Sequence, residues 1–530
     1  LTGTGFAGLW APSGGRVDFL GDGRQYLHVI QNGLNNDGGM IVRGNSLLNI
    51  TGMDVLIKGN GTYGLQVAES STANIISADN IKNTLSANGN KNHATAWTEG
   101  AGLAVQGVAS QLVVQNMDVQ ANGNGRYGIR ATEGGVLNIV GGGDNNIDVA
   151  ANNSADGNMG DGIIADHAAS NGDRSAIYIQ DMNLRVDDQA YQGIAARDGG
   201  IINISSTSGK HLLEVYNTRM ANDYGQDLGK GLHAKGADSP SGEVSTLVIK
   251  DMDIIANNNE LEGVVVADSG VIHIESQSGK NTLIANANRQ YAAATPNQWS
   301  YGAGLLAHGV SANTPDKQAA IIIKNMHIEA NDNGVYGLYA RDGGVISITG
   351  DGSQKLDIKG NKSTNFDTYD AGVAIEGFTT DGTSQKPAAV EINNMQVTIN
   401  DNGRYGIDIN SGGQMSIASD TGNTLTVSGN QTANSAKNEG MGIHVNGIVD
   451  DIQSRLDIVD MDVLIDQSPD AGLKAGNGAL VNIVSHSGTN TLRANNNDNY
   501  GTQYNEGAGL FAFDSKDTTN AAATINVVGM

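Results

Sequence analysis

The segment "GNGRYG" at residues 123–128 has the G-x-G-x-x-G spacing of a loop that cradles a dinucleotide phosphate. That chemistry needs glycines for a tight turn and a helix whose N-terminus faces the phosphate. Two adjacent acid pairs, Asp187–Asp188 and Asp450–Asp451, have the residue types of general acid–base catalysis. The histidines are scattered, with His233, His308 and His444 far apart, and no spacing matches a zinc or hydrolase signature. There is no Cys, which removes disulfides and thiolate metal sites. No G-x-S-x-G nucleophile elbow is present.

The surrounding sequence argues against a phosphate loop. Equivalent segments are "NDNGVYG" (331–337) and "NDNGRYG" (400–406), where Asp332 and Asp401 stand in place of Gly123. The residues after Gly128 alternate as a strand, so no helix N-terminus faces a phosphate. The segment reads instead as a corner in a repeating structure. Tyr63, Tyr127, Tyr336 and Tyr405 recur at that corner, and we read them as a packing staple.

The repeat runs through the chain. Gly followed by a short alternating apolar run recurs from Gly8 to Gly509, as at Gly64, Gly128, Gly193, Gly337 and Gly406. Each coil then holds two further short runs such as "VLNIV", "AIYIQ", "TLVIK" and "AIIIK". These are rich in Val and Ile and bounded by Gly, Asn and Asp turns, the pattern of strands. Two kinds of coil alternate. One has a tight turn after its first strand, such as "TEGG" (132–135) or "RDGG" (197–200 and 341–344). The other has a longer insertion there, and its third strand opens on Met: Met53, Met117, Met182, Met252, Met326, Met395, Met461 or Met530, 64 to 74 residues apart. Met fills irregular gaps, so Met117 and Met326 are read as rungs of a core ladder rather than as metal or redox sites. Near the end of the third strand stand Asn32, Asn90, Asn122, Asn152, Asn257, Asn288, Asn331, Asn361, Asn400, Asn430 and Asn497, with Asp187 and Asp466 in the same place. Stacked amides hydrogen-bond to one another, so Asn122, Asn152, Asn331 and Asn400 are read as a second ladder.

These features predict an all-β chain: one continuous right-handed parallel β-helix over 1–530, of about sixteen three-strand coils in alternating pairs. The pairs start near residues 8, 64, 128, 193, 263, 337, 406 and 472. At about 4.8 Å per coil the rod would be about 75 Å long. The chain begins with Leu1 and stops at Met530 before a third strand, so we expect a fragment of a longer rod. Lys and Arg number 31 against 56 Asp and Glu, a net charge of −25. That acidity argues against nucleic acid and anionic lipid as partners. No apolar run approaches a membrane-spanning length.

On such a solenoid, sites lie on outer faces and in long turns. Segments before the first strand of every second coil, such as 90–102, 217–231, 286–304, 361–372 and 496–509, concentrate aromatics in a chain with only 5% of them. They hold Trp97, Tyr224, Tyr291, Trp299, Tyr301, Phe366, Tyr369, Tyr500 and Tyr504. Aromatics beside Asn, Asp and Gln suit sugar faces and protein epitopes, and equally suit packing a loop onto itself. Polysaccharide-cleaving β-helices place acids on one strand face, but Asp187 is a ladder substitution here and Asp450–Asp451 lies in a surface turn. Turns such as "ANDNG" and "NNNDN" could hold Ca²⁺ weakly, yet they lack a repeated ligand pattern, so no cofactor is expected.

With segments such as "YGIRATEGGVLNI" and "YGLYARDGGVISI", the chain resembles the passenger of a bacterial autotransporter. The resemblance covers the whole chain and is one of architecture and composition. It implies a non-catalytic adhesin displayed from the outer membrane, with roles in adhesion, aggregation or biofilm. The partners it implies are glycan or protein on a host or bacterial surface, or a second copy. The alternatives are a polysaccharide lyase or hydrolase, including a phage tailspike, and a structural stalk or self-associating factor.

Overall fold

The computed structural model describes residues 1–3, 6–32, 38–78, 81–90, 100–153, 160–219, 229–236, 243–288, 302–309, 317–363, 370–378, 386–430, 440–497, 508–513 and 522–530. They divide into an N-terminal unit, Leu1–Glu260 with Gly270–His273, and a C-terminal unit, Leu261–Ser269 with Ile274–Met530. Both are built as a right-handed parallel β-helix, and the described residues contain no helix.

In the N-terminal unit the first strands stack in parallel, with Leu65, Leu103, Ile129, Ile163, Ile194 and Leu232 in one inward file. The second strands bring Leu112, Leu137, Ile177, Ile202 and Leu247 into register, and the third bring Leu85, Val119, Ile147, Leu184, Leu213 and Ile254. The C-terminal unit repeats the plan with Leu305, Leu338, Val373, Ile407, Ile443 and Leu473 in its first file. Strands of period two bury alternate residues, and every residue in these files is fully buried. In Val136–Ala150 and Ala176–Asp187 the second and third strands run on as one, with a register shift between Val140 and Asn145, so not every coil has three separate strands.

The corner between third and first strands is held by side-chain amides. Asn124 donates from its backbone N–H and its Nδ2 to Asn152 Oδ1, at 2.9 and 3.1 Å. Asn90 does the same to Asn124, and Asn60 to Asn90. In the C-terminal unit Asn288, Asn333, Asn361, Asn402 and Asn430 form an equal column. The spare hydrogen of several Nδ2 groups goes to a backbone carbonyl, as from Asn124 to Ala87 at 2.9 Å. The residue before each rung lies in the left-handed region, whether Gly123 (φ 64°), Ala151 (52°) or Asp332 (54°). A file of glycines faces the column. A Cβ on Gly128 would fall 2.3 Å from Val149 Cγ1 and 2.9 Å from Asn152 Nδ2, so no larger residue fits there.

The amide column corrects the register of the sequence-derived ladder. Asn152 is a rung, but Asn122, Asn331 and Asn400 stand two residues short of one, at Asn124, Asn333 and Asn402. In the Met coils Val119 pairs with Leu85, and Met117 pairs with Asn83. Met117 therefore precedes the inward pair Val119 and Ala121, and the rung follows Ala121. Asn122 belongs to a half-buried outer row: it accepts from Ala150 N–H and donates to Asp148, at 2.6 and 3.0 Å. Asn331 accepts from Lys359 N–H and Asn400 from Ser428 Oγ.

Met117 and Met326 are buried at the corner between second and third strands, with Met182, Met252, Met395 and Met461 in equivalent places. The residue before each, such as Asn116 or Asp181, is left-handed and makes the bend. The residue after several of them caps the next coil, as Asp118 accepts from Asn146 N–H at 2.9 Å and Asn183 from Leu212 N–H at 3.1 Å. Bend, plug and cap thus occupy three consecutive residues.

The column of the C-terminal unit breaks at Ser468, whose hydroxyl is too short to reach Asn430, and the buried Asn430 Nδ2 and Ser468 Oγ have no hydrogen-bond partner. Ser468→Asn should raise the melting temperature, at about 1 kcal/mol per restored bond. Asn124→Ala, which strands two donors of Asn90, should lower stability by about 1–3 kcal/mol. Circular dichroism melts of the whole chain check both, and a Ser468→Asn protein that melts lower contradicts the role of the column.

Candidate functional site

The nine aromatics singled out from sequence, Trp97, Tyr224, Tyr291, Trp299, Tyr301, Phe366, Tyr369, Tyr500 and Tyr504, lie outside the described residues. The residues at either end of their segments are described. Segment 91–99 lies between rung Asn90 and strand Ala101–Gln106, and segment 154–159 between Asn152 and Asp161–Asp166. In the C-terminal unit the bounds are Asn288 and Ala303–His308, Asn361 and Ala371–Glu376, Asn430 and Met441–Asn446. Within each unit the segments therefore start from one amide column and end on one sheet.

The outward side of the first sheet holds a charge cluster that the sequence reading missed. On strand Asp161–Asp166, Ile163 and Ala165 point inward, and Asp161 and Asp166 point outward. The neighbouring coils bring Tyr127 and Arg130 to one side, and Gln192 and Arg197 to the other. Arg130 grips Asp166 with two bonds, Nε to Oδ1 and Nη2 to Oδ2, both 3.1 Å. Arg197 Nη2 lies 3.2 Å from Asp161 Oδ2, while Asp161 Oδ1 has no hydrogen-bond partner. The Tyr127 ring lies beneath two guanidinium groups, Arg130 at 4.5 Å and Arg126 at 5.0 Å. Asp161, Asp166 and Tyr127 are all within 2% of complete burial.

Burial and pairing divide the two acids. Burial opposes ionisation of Asp166, but Arg130, a hydrogen bond from His167 and Arg197 together hold its carboxyl well below the usual range. Burial pushes Asp161 up despite Arg197 and Arg126, and the Asp166 charge adds to the rise. Burial also lifts the Tyr127 phenol to about 12, against the pull of Arg130 and Arg126. Opposed carboxylates can divide acid and base roles in a hydrolase. Here Arg130 occupies both oxygens of Asp166 and neither acid meets solvent, so the arrangement holds charge rather than offering a base. Sequence reasoning sought adjacent acids; the available signal was one Arg on each strand flanking "DGIIAD", Arg130 in "YGIRAT" and Arg197 in "QGIAAR".

Elsewhere the corner tyrosines Tyr63, Tyr336 and Tyr405 are buried like Tyr127. Tyr405 stacks on His444 at 5.1 Å, and His444 Nδ1 lies 2.8 Å from Asp408 Oδ1. Asp450 and Asp451 form the exposed turn of a small hairpin, both with positive φ. His233, His308 and His444 lie on separate strands. Among the described residues no group of three or more His, Asp or Glu could hold a metal ion.

The cluster sets a pH-dependent stability. The folded pKa of Asp166 is depressed, so its contribution is complete above the unfolded value, about 3.9, and is lost as pH falls through the folded one. Asp166→Asn, which leaves Arg130 buried and unpaired, should cost about 3–5 kcal/mol at neutral pH. The difference from the parent should shrink below about pH 4 in urea unfolding curves. A constant difference across that range would contradict the assignment. No known family, curated protein or solved structure matches this chain.

Proposed function

We propose that the protein is a non-catalytic adhesin, displayed on a bacterial surface in the manner of an autotransporter passenger. Its β-helix would serve as scaffold, and the segments that leave one corner would meet glycan or protein on a host or bacterial cell. The observation that carries this reading is the shared corner. Within each unit long segments leave the same corner at every second coil, about 10 Å apart at the spacing of stacked strands, and most of them carry aromatics. Insertion at one fixed corner leaves the strands and the column undisturbed, so composition can vary there without cost to the fold. Repeated copies of a weak contact along one edge also gain from multivalency. The acidity of the chain keeps such a surface soluble and suits partners that are neutral or basic.

Replacing Trp97, Trp299 and Tyr301 together by Ala should reduce adhesion of protein-coated beads to target cells about tenfold or more. The melting temperature should stay that of the parent. Unchanged adhesion in a folded variant would sink the aromatic-edge reading.

A further inference from the structure

The amide column of the N-terminal unit breaks once. Gln189 accepts from Asn152, but its Nε2 turns back to Val149 O and Asp187 O, at 3.0 and 2.6 Å. No hydrogen bond joins its side chain to Thr218, which starts a new run by donating to Asn259 Oδ1 at 2.8 Å. At this break the corner opens into a cleft of about 430 Å³, lined by Asp187, Asp188, Asn217, Arg219, Asn258 and Glu260 around Thr218. That size falls in the range of small-ligand sites, roughly 300–1,000 Å³. Departures from an otherwise regular rule tend to mark functional positions.

The cleft is built from the stack itself. Asp188, Asn217 and Asn258 come from successive coils and share one left-handed conformation, with φ of 56°, 55° and 54°. Their side chains therefore leave the corner side by side. Asp187 is fixed from both sides, accepting from Asn217 Nδ2 at 2.9 Å and Arg185 Nη2 at 3.0 Å. Arg185 in turn covers the ring of Tyr216 at 5.2 Å. Arg219 pairs with Asp188. The same device recurs in the C-terminal unit at its own break: Asp466 precedes Ser468 by two residues and accepts from Asn496 Nδ2 at 3.0 Å. Among the described residues an acid holds that position only beside these two breaks.

We infer that the cleft at Asp187, Asp188, Asn217, Arg219 and Asn258 is a saccharide subsite for neutral sugar units. Carboxylates accept from vicinal hydroxyls, while amide and guanidinium groups donate to ring and hydroxyl oxygens. No large apolar side chain lines the cleft, which disfavours an apolar ligand. Three acids against one Arg among the lining residues disfavour sialylated or uronic sugars. The inference goes beyond the adhesive reading and holds whether or not the aromatic segments adhere.

Saturation-transfer NMR and calorimetry on the whole chain test it with maltotriose, cellotriose, lactose and chitotriose, and with sialyllactose and Ca²⁺ as controls. At least one neutral oligosaccharide should bind, and sialyllactose should not. Asp188→Asn combined with Asn258→Gly, both compatible with the left-handed backbone, should weaken that binding about tenfold or more. Arg219→Gln on the exposed rim should do the same if the double variant fails to fold. Absence of binding by every neutral sugar, equal binding by folded variants, or binding of Ca²⁺ alone overturns the inference. The Trp97, Trp299 and Tyr301 variant should keep its oligosaccharide binding; if adhesion is unchanged there while the cleft variants lose sugar, the adhesive reading fails and the subsite stands.

Discussion

A buried carboxamide must satisfy two donors and an acceptor, and the fold is organised around doing so once per coil. Each rung gives its Nδ2 and its backbone N–H to the oxygen of the next rung. That pair of hydrogen bonds fixes the spacing of coils and the direction of the column. It requires a left-handed residue just before the amide, and it leaves no room for a side chain on the facing strand. The glycine file, the sharp corner and the start of the first sheet all follow from this contact. Apolar files supply most of the burial energy, but any β-branched residue of similar size would serve in them. The amides are what set one coil against the next in a single register.

Much of this was readable in sequence because the fold is nearly one-dimensional. Glycine, strand and Met recur along the chain as they recur in space, so a pattern in residue number becomes a pattern in stacking. What failed was a phase. Strands of period two present inward residues at every second position, and nothing in "NMDVQANGN" says whether Met117 or Val119 opens the inward pair. Only the pairing of Val119 with Leu85 decides it, and that moves the rung from Asn122 to Asn124. The charge cluster escaped for a different reason. Asp166 and Arg130 are 36 residues apart, and each alone looks like a solvated surface residue. Their burial depends on the outward side of a sheet, which alternation marks as polar and exposed.

Two of the coil's three corners divide the work. At the Met corner, bend, plug and cap fill three residues and allow little variation. At the amide corner the rung closes the coil, and in every second coil a long segment of variable sequence follows it. Charged groups on the first sheet, such as Arg130 with Asp166 and Asp161 with Arg197, then tie neighbouring strands close to where those segments end.

The column also has a chemical lifetime. Asn124, Asn333 and Asn402 are each followed by Gly, the dipeptide in which a side-chain amide is most easily attacked by the next backbone nitrogen and lost as ammonia. In the folded corner the carbonyl of each is held by donors from the preceding rung, and its surroundings are closed to water. An unfolded chain has no such guard. Conversion of one rung to Asp would replace a donor and acceptor with a group that only accepts, set against neighbours built to receive a hydrogen. Time spent unfolded is therefore written into the sequence as carboxylate, and an aged chain would carry the mismatch into each later attempt to stack.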